Sequence, residues 1–282
     1  MTEAEYRADP RMNVSLLVHG LKSMRQLKHV IDNPQEQTPA MKLGTMAHVY
    51  LLQPDVFDKR YVVMPNYEFD ASNCTDKGKP STSKLTNYYK SRVSEFEAEN
   101  FGSDIVSRAD IDWCEGIAES VRADPKAAEL LGYCEKEVPL FGSIEGVECK
   151  GLIDLLNPLV LGDLKTTVDV SPHKFASSAA KLHYPFRLSF YRELARQNKC
   201  PIQSLYLIAV ESKAPFDCVV NEVPGVELDN AFDNVCRVLR DYKRCLKDGV
   251  WPGVSGGEVQ ILSTPNWAME DDESMVEWSE AS

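Results

Sequence analysis

What this chain lacks narrows the field before any motif is considered. No apolar run in its 282 residues approaches the length that spans a bilayer, which excludes a helical membrane protein. The N-terminus, MTEAEYRADP, lacks the basic-then-apolar layout of a secretory signal, so a cytoplasmic protein with no membrane partner is expected. No two of the eight cysteines (Cys74, Cys114, Cys134, Cys149, Cys200, Cys218, Cys236 and Cys245) form a Cys-x-x-Cys half-site, which argues against structural zinc or an iron–sulfur cluster. Their scatter through a large chain predicts free thiols that fill the core. Basic charge is not in excess either. The formal net charge is −12, which at first counts against a nucleic-acid partner. That charge is uneven, with 12 Asp/Glu against 5 Lys/Arg from residue 225 onward, leaving only −5 on residues 1–224. An acidic exterior can coexist with a local basic channel, and composition alone leaves the partner undecided.

Hydrophobic patterning predicts an α/β protein: a central mixed sheet flanked by helices, with a helical N-terminal elaboration. Residues 1–268 read as one domain, helical over 1–125 and with the core over 126–250. The acidic tail 269–282, around Glu270-Asp-Asp-Glu273, reads as disordered. Ser15 is expected to cap one helix running through LLVHGLKSMRQLKHVI, with Leu17, Leu21, Met24 and Leu27 at helical spacing. Leu43–Leu52 reads as a second apolar helix, Tyr61–Met64 as a short strand and 66–84 as a polar loop, with two helices near 85–100 and 107–123. Strands are expected at Val138–Ser143, Val147–Leu156 and Val160–Lys165, then a helix over Phe186–Asn198. Strands at Ser204–Glu211 and Cys218–Val223 and a long helix over Leu228–Lys247 complete the pattern.

The segment CKGLIDLLNPLVLGDLKTT carries the chemistry. Side chains two apart in a strand share a side, so Asp163 and Lys165 should point together while Leu164 faces the core. A hairpin turning at Asn157-Pro158 would bring Asp154 beside them. Two carboxylates and an ammonium are what metal-assisted phosphodiester hydrolysis needs. Carboxylate oxygens suit Mg²⁺, the ion activates water, and the lysine orients it or neutralises developing charge. A surface Asp–Lys pair would share the Asp-x-Lys spacing; Asp154, one hairpin earlier in an apolar context, favours a site.

These motifs resemble the PD-(D/E)XK nuclease superfamily, with Ile153-Asp154 where Pro-Asp is usual. The chain over residues 4–268 resembles its RecE-type exonucleases, the exodeoxyribonuclease VIII of prophages and phages. EYRADPRMNVSLL, Leu43-Gly-Thr-Met-Ala-His48 with LLQPDVF, Asp163-Leu-Lys-Thr-Thr167, and Trp251-Pro-Gly with LSTPNWA carry the resemblance. It implies Asp154, Asp163 and Lys165 as catalytic residues. It implies His48, Asp154, Asp163 and the Leu164 backbone carbonyl as metal ligands. Glu137 would complete the acidic cluster, although a surface glutamate is nearly as good a reading. Where the family has Gln-x-x-x-Tyr, this sequence has Arg187 and Tyr191, at i and i+4 on one helix face. Arginine binds phosphate through its planar fork, so both are DNA-binding candidates. Thr166 and Thr167 would bind phosphate at the strand exit or serve simply as β-formers.

The activity implied is a Mg²⁺-dependent exonuclease, with Mn²⁺ as an alternative and two ions in the site. It would act processively, 5′→3′, on double-stranded DNA ends and leave 3′ single strands for recombination or repair. A homo-oligomeric ring, a single-strand annealing partner and a bacterial host cytoplasm go with that reading. A structure-specific or single-strand endonuclease of the same fold, or a catalytically decayed DNA-end-binding protein, are the alternatives.

Overall fold

A computed structural model describes residues 3–34 and 36–263. The expected tail over 269–282 and the end of the LSTPNWA motif lie outside the described residues. A short helix α1 (Glu3–Ala8) leads into strand β1 (Met12–Asn13). The single helix expected from Ser15 is instead three pieces: α2 (Val14–Leu17), a 3₁₀ turn over Val18–Leu21, and α3 (Met24–Asp32). Asn13, not Ser15, is the first cap, its side chain accepting from the Leu16 amide, and Ser23 restarts the helix by accepting from the Gln26 amide. The break lets Gly20 lie against Val238, where an added Cβ would sit 2.5 Å from Cγ1.

Helix α4 (Pro39–Leu52), capped by Thr38, is the expected second helix with an earlier start. It is followed by α5 (Pro54–Arg60) and β2 (Tyr61–Val63). The loop beyond is organised around buried Asn73, whose side chain donates to the carbonyls of Glu68 and Ser83 and accepts from the Thr86 hydroxyl. Thr86 caps α6 (Asn87–Glu99); β3 (Asp104–Val106), parallel to β2, then leads into α7 (Arg108–Ala123) and α8 (Pro125–Tyr133).

The expected strands follow with longer limits: β4 (Glu135–Ile144), β5 (Val147–Asn157) and β6 (Val160–Thr167). Then come α9 (Pro172–Lys181), α10 (Tyr184–Gln197), β7 (Ser204–Glu211), β8 (Cys218–Glu222) and α11 (Gly225–Asp248). The six-stranded sheet is mixed, with antiparallel β4–β5, β5–β6 and β7–β8 pairs and parallel β1–β5 and β6–β7 pairs.

Apolar side chains bury both faces of this sheet. One core holds Leu17, Leu27, Phe190, Leu194 and Val238; the other holds Met46, Ile117, Leu130, Leu164 and Ile208. Residues 12–27 share the first core with α10 and α11, so the N-terminal part packs into the same core as the sheet. All eight cysteines are free thiols.

One edge of β5 is paired only in part. Met12 and Asn13 of β1 take Cys149 and Lys150, whereas β6 takes Leu155, Leu156 and Asn157. Between these two stretches, Gly151–Asp154 has no ladder partner on that edge among the described residues. The opening in the sheet lies here. Side-chain alternation breaks at the same place: Ile153 packs into the first core and Leu155, two residues on, into the second.

Candidate active site

Asp154 stands at the end of the opening. Its Oδ2 accepts from the Leu164 amide at 2.7 Å, replacing the ladder bond that β6 no longer makes to β5. Across the β4–β5 hairpin, the flanking pairs Lys136–Leu155 and Val138–Ile153 set Glu137 opposite Asp154. Glu137 holds a left-handed backbone, φ +53°, a conformation that costs a non-glycine residue about 1 kcal/mol or more. Helix α4 brings His48 in from the side, its Nδ1 3.5 Å from Asp154 Oδ2. One ligand atom each from His48, Glu137 and Asp154 lie within 4.8 Å of one another. The two carboxylate oxygens suit Mg²⁺ or Mn²⁺ and the imidazole nitrogen favours a transition ion, so the donor set fits a divalent metal of the kind the fold implies.

The alternation expected of β6 holds. Leu164 is buried in the second core, and Asp163 and Lys165 turn together into the cavity, with Nζ to Oδ2 at 2.5 Å. Lys165 Nζ also donates to the Leu164 carbonyl at 3.1 Å, so the carbonyl expected as a ligand is engaged by the lysine. Burial raises the Asp163 carboxyl, and the charge of Asp154 adds to the rise against the pull of Lys165. Burial pulls Lys165 the other way, but the facing carboxylates of Asp163 and Asp154 outweigh it and hold the ammonium above its ordinary range.

These groups open into a cavity of about 730 Å³. Tyr191 and Arg187, one turn apart on α10, both line it. Burial and the two aspartates push the Tyr191 phenol far up, so it remains a proton donor. The Arg187 guanidinium donates to the Leu182 carbonyl and the Ser15 hydroxyl, both at 3.3 Å. Thr166 lines the cavity; Thr167 does not, and its carbonyl accepts from the Ser212 amide.

Three lining residues carried no signal in the spacing. Tyr184, in the first turn of α10, sets its ring 5.8 Å from Lys165 Nζ. Tyr6 and Arg7 come from α1. Tyr6 and Arg7 lie inside the EYRADP stretch that carried part of the resemblance, and that was the only trace of them in the sequence.

The model of a PDDEXK-like domain of unknown function, DUF3799, matches residues 17–264. The chain belongs to this family. DUF3799 is thus the frame for the sheet, the opening in β5 and the Asp163–Lys165 strand. A solved structure described as a candidate exonuclease from Eubacterium rectale is similar at 14% identity and a TM-score of 0.63, covering 96% of this chain and 98% of that one. A phage-related exonuclease from Haemophilus somnus 129PT is matched at 13% identity and a TM-score of 0.35, over 59% of this chain and 86% of that one. No curated protein matches the chain. Among the described residues, no helix is long and apolar enough to cross a membrane.

Proposed function

We propose that this DUF3799 protein is a metal-dependent DNA exonuclease. The observation that carries the reading is the convergence of His48, Glu137 and Asp154 beside an Asp163–Lys165 pair at one opening of a PDDEXK-like sheet. His48, Glu137 and Asp154 would hold a divalent ion, with Asp163 adjoining. A bound Mg²⁺ or Mn²⁺ supplies Lewis acidity and a nucleophilic water at neutral pH. The chain's own groups do the rest. Lys165, held beside Asp163 and turned into the cavity, orients the attacking water or acts as a cation toward the scissile phosphate. Tyr191 and Arg187 line the same space, where the phenol would donate a hydrogen bond to the substrate and the guanidinium fork would take a neighbouring phosphate.

Action at double-strand ends, 5′→3′ and processive, with 3′ single strands passed to an annealing partner, is the finer form of the proposal. A ring of identical subunits around DNA would explain processivity. The resemblance of the sequence motifs to the RecE type supports this form. Digestion of end-labelled linear duplex and of covalently closed circular duplex, with Mg²⁺ and with EDTA, tests it. Linear DNA degraded from 5′ ends, circles left intact and loss of activity in EDTA are expected. Cutting of circles would replace the exonuclease reading with an endonuclease. Full activity in Asp163→Ala or Lys165→Ala would overturn the site itself.

A further inference from the structure

Lys150 is an anomaly in the core. It is 3% exposed, yet it is a lysine on β5 beside the opening in the sheet. Its ammonium faces the C-terminal end of α1, donating to the carbonyls of Tyr6 at 2.5 Å and Asp9 at 2.7 Å, with Arg7 at 3.5 Å. It also lies 4.7 Å from the centre of the Tyr6 ring. A helix end offers carbonyls without helical partners and partial negative charge, and an ammonium with three donors answers both. An apolar side chain would fill the same space without desolvating a charge, so packing alone does not call for a lysine here.

What this contact holds in place is part of the active site. Tyr6 and Arg7 line the same cavity as Asp154 and Lys165. The charge of Glu137 acts on the Tyr6 phenol, which places that phenol within electrostatic reach of the metal-ligand candidates. Beyond α1, β1 pairs with Cys149 and Lys150 themselves, so the strand that carries the lysine also anchors the chain leaving the helix. A six-residue helix is too short to stand alone in water and needs such an anchor.

We propose that Lys150 is a positioning residue for the active site. Its buried ammonium docks α1 as a wall of the catalytic cavity, and the docked helix presents Arg7 to a backbone phosphate of the bound DNA strand. Lys150 touches neither metal nor substrate and acts through α1. The proposal rests on the nuclease reading for its ligand, but not for the docking itself.

Two measurements keep the docking and the ligand apart. Hydrogen exchange followed by mass spectrometry should show residues 3–9 of Lys150→Met exchanging faster than in wild type, while β5 and β6 stay protected. Anisotropy of a fluorescein-labelled duplex with Ca²⁺ should show about a tenfold loss of affinity in Lys150→Met and a similar loss in Arg7→Ala. The double variant should be no weaker than either single one, and Mn²⁺ binding by calorimetry should be unchanged in all three. Unchanged exchange over residues 3–9 overturns the docking. Arg7→Ala binding duplex like wild type, or the two losses multiplying, overturns the presentation of Arg7, and the first result does so even where Lys150→Met fails to fold. Wild-type protein with no affinity for duplex would sink the nuclease reading instead, leaving the exchange result to judge the docking.

Discussion

Asp154 does two jobs with one carboxylate. One oxygen satisfies the Leu164 amide, and the same group faces His48 and Glu137 as a metal-ligand candidate. The jobs separate by substitution. In Asp154→Asn the amide oxygen still accepts from Leu164 but the charge is gone, so melting within a few degrees of wild type and a loss of turnover of about a hundredfold or more are expected. Asp154→Ala also orphans a buried amide, at about 1–3 kcal/mol, and should melt well below Asp154→Asn. Equal melting of the two variants would refute the hydrogen-bond role. His48→Ala should weaken Mn²⁺ binding by about tenfold or more in calorimetry with the fold intact, since the imidazole is one of three clustered donors. Unchanged Mn²⁺ affinity would remove His48 from the ligand set. At this scale the sequence was most legible where the argument was local. Strand alternation alone puts Asp163 and Lys165 on one side, and the motif around His48 marks it out. Tyr184 and Lys150 could not be read, because nothing in the flanking residues distinguishes a tyrosine under a lysine, or a lysine under a helix end, from ordinary strand and helix residues.

Elements were legible in proportion to their periodicity. β7 falls on the expected residues, and α10, α11 and the three central strands differ only at their ends. The stretch after Ser15 departs from the single helix expected there because apolar spacing persists across a real break, and the caps at Asn13 and Ser23 outweigh it. The two-residue β1 and the parallel β1–β5 pairing have no periodicity to read. Close approach of α10 to β5 depends on Gly151, where an added Cβ would meet the Tyr191 ring at 3.0 Å and Leu194 at 3.1 Å. Gly151→Ala should therefore push α10 outward, cost about 1–3 kcal/mol in thermal or denaturant unfolding, and lower turnover by displacing Tyr191. Loss of stability with turnover unchanged would mean that Tyr191 has no part in the chemistry.

For the whole molecule, the buried Asp163 carboxyl couples folding to pH and, under the proposed function, to metal. The Asp163 carboxyl is raised above its ordinary 3.8 by burial, so the folded state prefers its proton. Its contribution is therefore favourable at low pH and is lost as pH climbs from the unfolded value through the folded one. A divalent ion needs the deprotonated group and restores what is lost. The rise in Tm on adding Mg²⁺ should thus be larger at pH 7.5 than at pH 5. An equal rise at both values would place the ion away from the buried pair.

The β1–β5 pairing also sets an order of events. It joins residue 12 to residue 149, closing a very long loop, and contacts of that kind form late because chain entropy is lost before they reward it. The β4–β5–β6 hairpins and α10 can assemble from neighbouring sequence. The cavity gains its α1 wall only afterwards, once residues 12 and 13 find a strand more than a hundred residues downstream. During refolding, intrinsic fluorescence should recover before duplex binding does, and the interval between them would be the time β1 takes to find β5.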